Sequence, residues 1–368
     1  MKKVLFVATV TSHINSFHIS YLKMFKENGY EVHVASYGNE KIEYCNKHFN
    51  IPFQRNPFKR ENIKAYKKLK DIIETNNYEI IHCHTPVGGV LTRLAARKTR
   101  KTEAKVFYTA HGFHFYKGAP ILNWLIYYPI EKWLSKYTDC LITINKEDYN
   151  IAKRKFKKCK HIELVHGVGL DTKRFDEEFS NTEIDELKKK IGIKKDSIVL
   201  TYVAELNKNK NQILLIKTME ELVKENKKYL LILVGDGTSK QELEKYVKEH
   251  KLEHYIKFLG RRNDVPAILK LTNIYVASSL REGLPVNVLE AMYVGLPIVA
   301  TDNRGHRELI KDNQNGYIAN DVDNMKNRIE KITTSEKILK KVESNSMVVN
   351  QNYTADIILE KMKKIYNI

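Results

Sequence analysis

The feature that most constrains this chain is a recurring change of hydrophobic period. Short apolar runs, KVLFVA, EVHVAS, EIIHCH, KVFYTA, CLITIN and HIELV, are separated by longer stretches of helical spacing. Brief runs rich in Val, Ile and aromatic side chains read as buried strands, and the intervals read as helical crossovers. Strands joined in this way lie side by side through right-handed connections, which predicts a parallel, doubly wound α/β sheet. The alternation starts afresh at SIVLTYVAEL and runs on through NQILLIKTMEELVKEN, YLLILVGDG, KQELEKYVKEH, YIKFLG and NIYVAS. With 368 residues, more than a single core holds comfortably, two domains are expected.

Four cysteines, Cys45, Cys83, Cys140 and Cys159, show no close pairing pattern, which suits a reduced cytoplasm. Met1-Lys-Lys leads straight into VLFVA without a small-residue cleavage site, so no secretory leader is read. The run ILNWLIYYPIEKWL is interrupted by Pro129, Glu131 and Lys132 and is not expected to cross a bilayer. The expectation is a cytoplasmic protein, soluble or peripheral on the inner face of the plasma membrane. Charge is unequal between the halves. Residues 1–175 carry 31 Lys+Arg against 15 Asp+Glu, a net +16, whereas the remainder carries 32 against 29, a net +3. A lysine-rich composition explains the bases in both halves and leaves unexplained why acids are scarce in only one. Anionic headgroups attract surface lysines at about 1 kcal/mol each, so an anionic membrane surface is the favoured partner of the basic half. Nucleic acid is the competing partner, without a zinc spacing, an RNP-type strand or a helix-turn-helix to support it.

The stretch Ser278–Gly305, SSLREGLPVNVLEAMYVGLPIVATDNRG, carries the densest chemistry. A polar loop with Glu282, Gly283 and Pro285 is followed by a helix from about Val286 to Tyr293, a glycine turn and the strand IVAT. Ligands of open parallel sheets sit at the carboxyl ends of strands, where this loop lies. Pro285 suits the first helical turn, and amides from Gly283 through Leu284 and Pro285 to Val286 would receive an anionic group. Glu282 and Glu290 lie on different elements, within reach of one ligand. Carboxylates repel phosphate but accept strongly from paired hydroxyls. The pattern reads as a clamp for a sugar nucleotide.

The string EGLPVNVLE, two glutamates with seven residues between them, resembles the signature of retaining glycosyltransferases of family 4, with support from GLPIVAT and RGHREL. The likeness extends over nearly the whole chain and is nearest to bacterial capsule and exopolysaccharide enzymes. It implies the GT-B fold: two facing Rossmann-like doubly wound domains with a deep interdomain cleft. Residues 1–170 would form an acceptor-binding domain, with a C-terminal helix at about 352–368 packing back on it. Residues 171–351 would form the nucleotide-sugar domain. The boundary is read near HGVGLDTKRF, where His166 stands in place of the family's Asn.

The resemblance also implies roles. Glu290 would hold the ribose diol and Glu282 the donor sugar. In AELNKNKNQ the family's diphosphate-binding Arg is replaced by Glu205, which leaves Lys210 as the main phosphate cation, with Arg307 or Lys208 as compensating charges. Gly235 ends a strand close to the donor, and Arg261 belongs to the loop that holds the base. In the first half His111, in TAHGFHFYKGAP, matches the histidine beside the transferred sugar. The segment TVTSHINSFH is read as a loop lacking the family's glycine pair, with His13, Asn15 and His18 as possible acceptor contacts. His84 and His114 are assigned to the acceptor side as well. His82 and His84 are read as pointing to opposite faces of a strand, which argues against a metal pair, and no metal or cofactor beyond the nucleotide-sugar donor is expected. The segment from Phe113 to Tyr137 is aromatic and basic, which suits either a membrane face or a core helix.

These readings lead to transfer of a hexose or N-acetylhexosamine from a UDP-sugar to a saccharide on polyprenyl diphosphate, with retention and without a metal. Two alternatives fit the same sequence: a GT-B epimerase of UDP-N-acetylhexosamine, and a non-catalytic polyanion-binding protein.

Overall fold

The computed structural model describes residues 1–101, 104–334 and 345–368. The chain divides into two compact units, Met1–Val168 together with Ile358–Ile368, and Gly169–Ile357. The first holds a seven-stranded sheet in the order β3-β2-β1-β4-β5-β6-β7, every neighbouring pair parallel. Its strands are β1 (Lys3–Val10), β2 (Glu31–Tyr37), β3 (Lys47–Asn50), β4 (Ile80–His84), β5 (Lys105–Ala110), β6 (Cys140–Thr143) and β7 (His161–Leu164). The order reverses direction between β1 and β4, and the gap outside their carboxyl ends is the usual ligand position of such sheets.

Successive side chains of a strand point to opposite faces, and this sheet builds a separate core on each. Leu5, Val7, Ile81, Cys83, Val106 and Tyr108 lie in one, while Val4, Phe6, Val32, Val34, Ile80 and Phe107 lie in the other. The second core is completed from the far end of the chain. The helix Ala355–Tyr366 contributes Ile358, Met362 and Tyr366, spaced one turn apart and all buried. Tyr366 hydroxyl meets His82 Nδ1, whose Nε2 lies 2.8 Å from Thr109 Oγ1. A buried imidazole with both nitrogens engaged avoids the desolvation cost of an orphaned polar group.

The first crossover departs from the sequence reading. TVTSHINSFH is no loop: β1 passes directly into a helix, Thr11–Phe17, and after a break at His18 a second helix runs over Ile19–Glu27. Thr11 and Ile14 are the buried residues of the first, and Thr11 Oγ1 lies 2.9 Å from Ser36 Oγ. The glycine pair expected for close approach is replaced by a tight strand-to-helix junction.

The second unit repeats the plan. Strands β8 (Ile198–Val203), β9 (Tyr229–Val234), β10 (Ile256–Gly260), β11 (Ile274–Ala277), β12 (Ile298–Ala300) and β13 (Tyr317–Ile318) form a parallel sheet in the order β10-β9-β8-β11-β12-β13. Its reversal falls between β8 and β11. The loops leaving those two strands, 204–211 and 278–285, are therefore neighbours.

Candidate active site

In the second unit the two loops are knitted by backbone bonds. Leu280 amide donates to Asn209 carbonyl at 2.8 Å, Asn209 Nδ2 to Arg281 carbonyl at 3.0 Å, and Ser278 Oγ to Lys210 carbonyl at 2.7 Å. A third loop, after β12, closes on them. Thr301 Oγ1 and Asn303 Nδ2 both donate to Ser279 carbonyl, and Arg304 Nε donates to Glu282 carbonyl at 3.2 Å. Gly305 permits that approach, since a Cβ there would lie 2.5 Å from Glu282 Cβ. Within this frame Lys210 Nζ donates to Glu282 Oε1 at 2.6 Å, and both side chains keep a fraction of their surface in solvent, 21% and 13%. The two loops that carry the pair are thus fixed by the third, and neither side chain is completely shut off from solvent.

Glu290 lies one turn into the helix Val286–Tyr293. Pro285 is the N-cap of that helix, in extended conformation, immediately before the helix start that the sequence predicts at about Val286. Proline has no N–H, so the backbone donors of this stretch are those of Gly283, Leu284 and Val286. Burial pushes the Glu290 carboxyl up to about 7, with Arg174, 3.9 Å away, pulling in the opposite direction. A carboxyl poised near neutrality is a frequent mark of a ligand or catalytic group.

Glu205 directs its side chain to solvent while its carbonyl accepts from Gln212 Nε2 at 2.9 Å. Gly235, with φ at +140°, brings the turn after β9 onto the same strand end, where a Cβ would lie 2.0 Å from Ala204 carbonyl oxygen. Arg261 is exposed, and its neighbour Arg262 is engaged by Asp264 at 2.8 and 2.5 Å. Of the two compensating cations considered from sequence, Arg307 is paired with Asp302, and Lys208 is exposed. The cation that the structure does place against the Glu282 loop is Arg304, 4% exposed. Its position depends on a contact 22 residues distant, which no local pattern discloses.

In the first unit the histidines converge. His82 and His84 point to the same face of β4, with ring centroids 4.1 Å apart, which corrects the opposite-face reading. Residues two apart on a strand share a face. His84 stacks on His18 at 3.8 Å, and its Nδ1 lies 3.4 Å from His111 Nε2, while His18 Nε2 lies 3.3 Å from His13 Nε2. Burial, reinforced by the neighbouring imidazoles, disfavours the charged forms. His13 is lowered to about 4 and His111 to about 3, and His18 and His84 fall well below the ordinary histidine range. Four neutral imidazoles with nitrogens within 4.8 Å of one another could hold a borderline ion such as zinc, although they supply no negative charge to offset it.

Beside this cluster a cavity of about 460 Å³ opens at the β1–β4 reversal, lined by Ser12, His13, Ser16, Arg55 and Thr85 among others. Thr85 has φ at +65°, an uncommon conformation for a β-branched residue, and its Oγ1 accepts from Thr9 amide at 3.1 Å. Sequence reasoning singled out neither threonine, and only the strained backbone marks Thr85. Gly88 and Gly89 serve packing: Cβ atoms there would meet Thr85 Oγ1 at 2.9 Å and the Tyr108 ring at 2.5 Å. His114 does not join the imidazoles and stacks on Tyr127 at 4.6 Å. Asn15 bonds Lys41 carbonyl at the surface. Asp148 and Glu147 shape the loop after β5, accepting from the amides of Phe113 and Lys117 at 3.0 and 2.8 Å.

Two doubly wound sheets, each with loops gathered at its reversal, are the two halves of the GT-B fold. The family model for glycosyl transferase 4-like proteins matches residues 3–145, and that for glycosyl transferases group 1 matches residues 183–348. The chain belongs to the family 4-like glycosyltransferases. Among its relatives, EpsD of Bacillus subtilis (strain 168) is 44% identical over 368 residues, all of this chain and 96% of EpsD. The UDP-Gal:alpha-D-GlcNAc-diphosphoundecaprenol alpha-1,3-galactosyltransferase of Escherichia coli is 29% identical over 314 residues, 83% of this chain and 79% of that one. Among solved structures, Anabaena HepE in complex with UDP and glucose superposes with a TM-score of 0.80 at 18% identity, covering both chains fully.

Proposed function

We propose that the protein moves a hexose or N-acetylhexosamine from a UDP-sugar to a saccharide carried on polyprenyl diphosphate, with retention of configuration and without a metal. The observation that carries the donor half is the Lys210–Glu282 pair, which joins two loops at the sheet's reversal and keeps part of both side chains in solvent. A lysine and a carboxylate 2.6 Å apart suit a ligand with phosphate at one end and sugar hydroxyls at the other. In this reading Lys210 and the amides of Gly283, Leu284 and Val286 stabilise the departing diphosphate. Glu282 accepts from donor hydroxyls, and Glu290 accepts from the ribose diol. Arg304 steadies the Glu282 loop through its carbonyl and adds positive charge where the family's arginine is replaced by Glu205.

The first unit supplies the acceptor side. Ser12, Ser16, Thr85 and Arg55 around the cavity offer hydroxyls and one cation, a set suited to a saccharide near a phosphate. His111, held neutral, serves as a hydrogen-bonding group to the reacting sugar, and proton removal falls to the leaving phosphate oxygen. The name of the Escherichia coli relative supports this donor and acceptor class. The basic charge of the first half supports an anionic membrane as the place of work.

The test is a thermal-shift panel of nucleotide sugars followed by transfer to a synthetic polyprenyl-diphosphate saccharide. Stabilisation by UDP-sugars and a new lipid-linked product are the expected results. Stabilisation by guanosine or adenosine diphosphate sugars alone would overturn the donor assignment.

A further inference from the structure

The helix Ile121–Leu134 has two unlike faces. Its inner face is fixed to the first unit by Trp124, Tyr127 and Tyr128, which pack on the core, and by a buried ion pair. Glu131 receives Arg93 Nη1 and Nη2 at 2.8 and 3.1 Å, and the Arg93 guanidinium lies 3.9 Å above the Tyr108 ring. The outer face carries Ile121, Leu122, Leu125, Ile126, Ile130 and Trp133, recurring at helical spacing. Exposure there is high, with Ile121 at 78%, Leu122 at 62% and Leu125 at 68%. Isolated surface leucines are ordinary, whereas six large apolar side chains along one rigid helix form a contiguous patch of the kind that marks an interaction surface.

At the C-terminal end of this stripe lies a recess of about 610 Å³ lined by Lys132, Lys136, Arg154, Lys155, Lys157 and Lys158, with Trp133 and Tyr128 in its wall. Lys136 Nζ sits 4.9 Å from the Trp133 ring, so the aromatic marks the junction of the apolar and cationic zones. Between His111 and Tyr137 the sole acidic residue is Glu131, and it is buried against Arg93. The surface thus presents hydrocarbon, then an aromatic, then cations. That combination suits an anionic bilayer surface, with apolar side chains meeting acyl chains, the aromatic at the interface and the cations beside the headgroups. At 14 residues the helix is about 21 Å long, too short to span a bilayer's hydrocarbon, and no helix among the described residues is long and apolar enough to do so.

We infer that the outer face of Ile121–Leu134 lies in the plane of an anionic membrane, its apolar stripe inserted among the acyl chains and the adjoining basic recess holding lipid phosphates. This deepens the membrane part of the function proposed above by naming the face that docks and the depth at which it sits. Sugar transfer itself does not enter the argument.

The experiment is co-sedimentation of the full chain with vesicles of phosphatidylglycerol and phosphatidylcholine, and with phosphatidylcholine alone. Wild type binds the anionic vesicles, and the Leu125→Asp/Ile126→Asp variant binds at least about tenfold more weakly. That variant retains its thermal midpoint and its UDP affinity, since both side chains point outward. In a Trp124→Phe background, Trp133 emission shifts to the blue on adding anionic vesicles. Equal vesicle binding by wild type and the double variant would overturn the docking face while leaving the membrane partner in place. Failure of wild type to bind anionic vesicles would overturn both, while UDP binding and transfer to a soluble acceptor report separately on the enzymatic reading. Sedimentation analysis showing a wild-type dimer that the double variant dissociates without lipid would assign the face to a second copy of the chain instead.

Discussion

Lys210 Nζ lies 2.6 Å from Glu282 Oε1, joining a residue of the loop after β8 to one of the loop after β11, 72 positions away. The two form an ion pair within the second unit. Replacing Lys210 by Ala removes the proposed phosphate cation and leaves Glu282 without its counterion. Loss of a preorganised charge at a leaving group costs about a hundred- to a thousandfold in turnover. The expectation for Lys210→Ala is a fall of that order in kcat with the fold retained, read by product formation and circular dichroism. Glu282→Gln falls less in UDP affinity than in transfer, because its assigned partner is the sugar. Full activity in both variants would remove the pair from the mechanism.

Glu290 gives the site a pH signature. Burial disfavours its ionised form in the folded chain, so the folded carboxyl titrates near 7 against 4.5 in the open chain. The sign follows directly: this group makes the fold less stable as pH rises from about 4.5 to about 7, and adds no further change above that. A ribose diol prefers the carboxylate. UDP affinity should therefore rise about tenfold between pH of about 6 and about 8, with proton release on binding. Calorimetry of wild type against Glu290→Gln isolates the effect, since titration of the nucleotide is common to both. Parallel pH profiles would show that Glu290 does not receive the ligand.

The four convergent imidazoles make the metal question testable. If His13, His84 and His111 serve as neutral hydrogen-bonding groups, extensive chelation followed by assay in metal-free buffer leaves turnover unchanged. A loss restored by zinc, and absent from a His18→Ala variant, would instead assign the cluster to an ion.

Arg93 and Glu131 provide a stability test remote from both sites. Arg93→Met leaves a carboxylate buried without its partner, which costs about 3 to 5 kcal/mol. Joint replacement by Met and Leu restores much of that, because both desolvation terms disappear together. Urea denaturation followed through near-ultraviolet circular dichroism distinguishes the two, and equal losses in single and double variants would contradict the argument.

How much of this was legible varied with the range of the contact. The loop and helix start around Glu282, Gly283, Pro285 and Glu290 stand out in the sequence because the four lie within nine residues, where strand end, loop and helix leave a local pattern. The strand β3 does not: KHFN is four residues long, and its His48 is placed by a 2.9 Å contact to Ser36 on the neighbouring strand. The β1 crossover differs from the expected loop because Thr11 and Ile14, three residues apart, have helical spacing and are buried on one face, a signal that the missing glycine pair does not report. His82 and His84 share a face because strand side chains repeat every two residues, so this placement lies within what the local sequence contains. Arg93 with Glu131, and Arg304 with Glu282, depend on tertiary placement that neither partner's neighbourhood announces.

Tyr366, two residues from the end of the sequence, reaches His82 in the middle of the first sheet. Until the helix Ala355–Tyr366 has been made and docked, one face of that sheet lacks part of its cover, including the ring that packs against Phe107 at 5.0 Å. The first sheet is thus finished only after the strands of the second unit have been made, so a nascent chain must shelter a half-dressed sheet throughout translation of everything between.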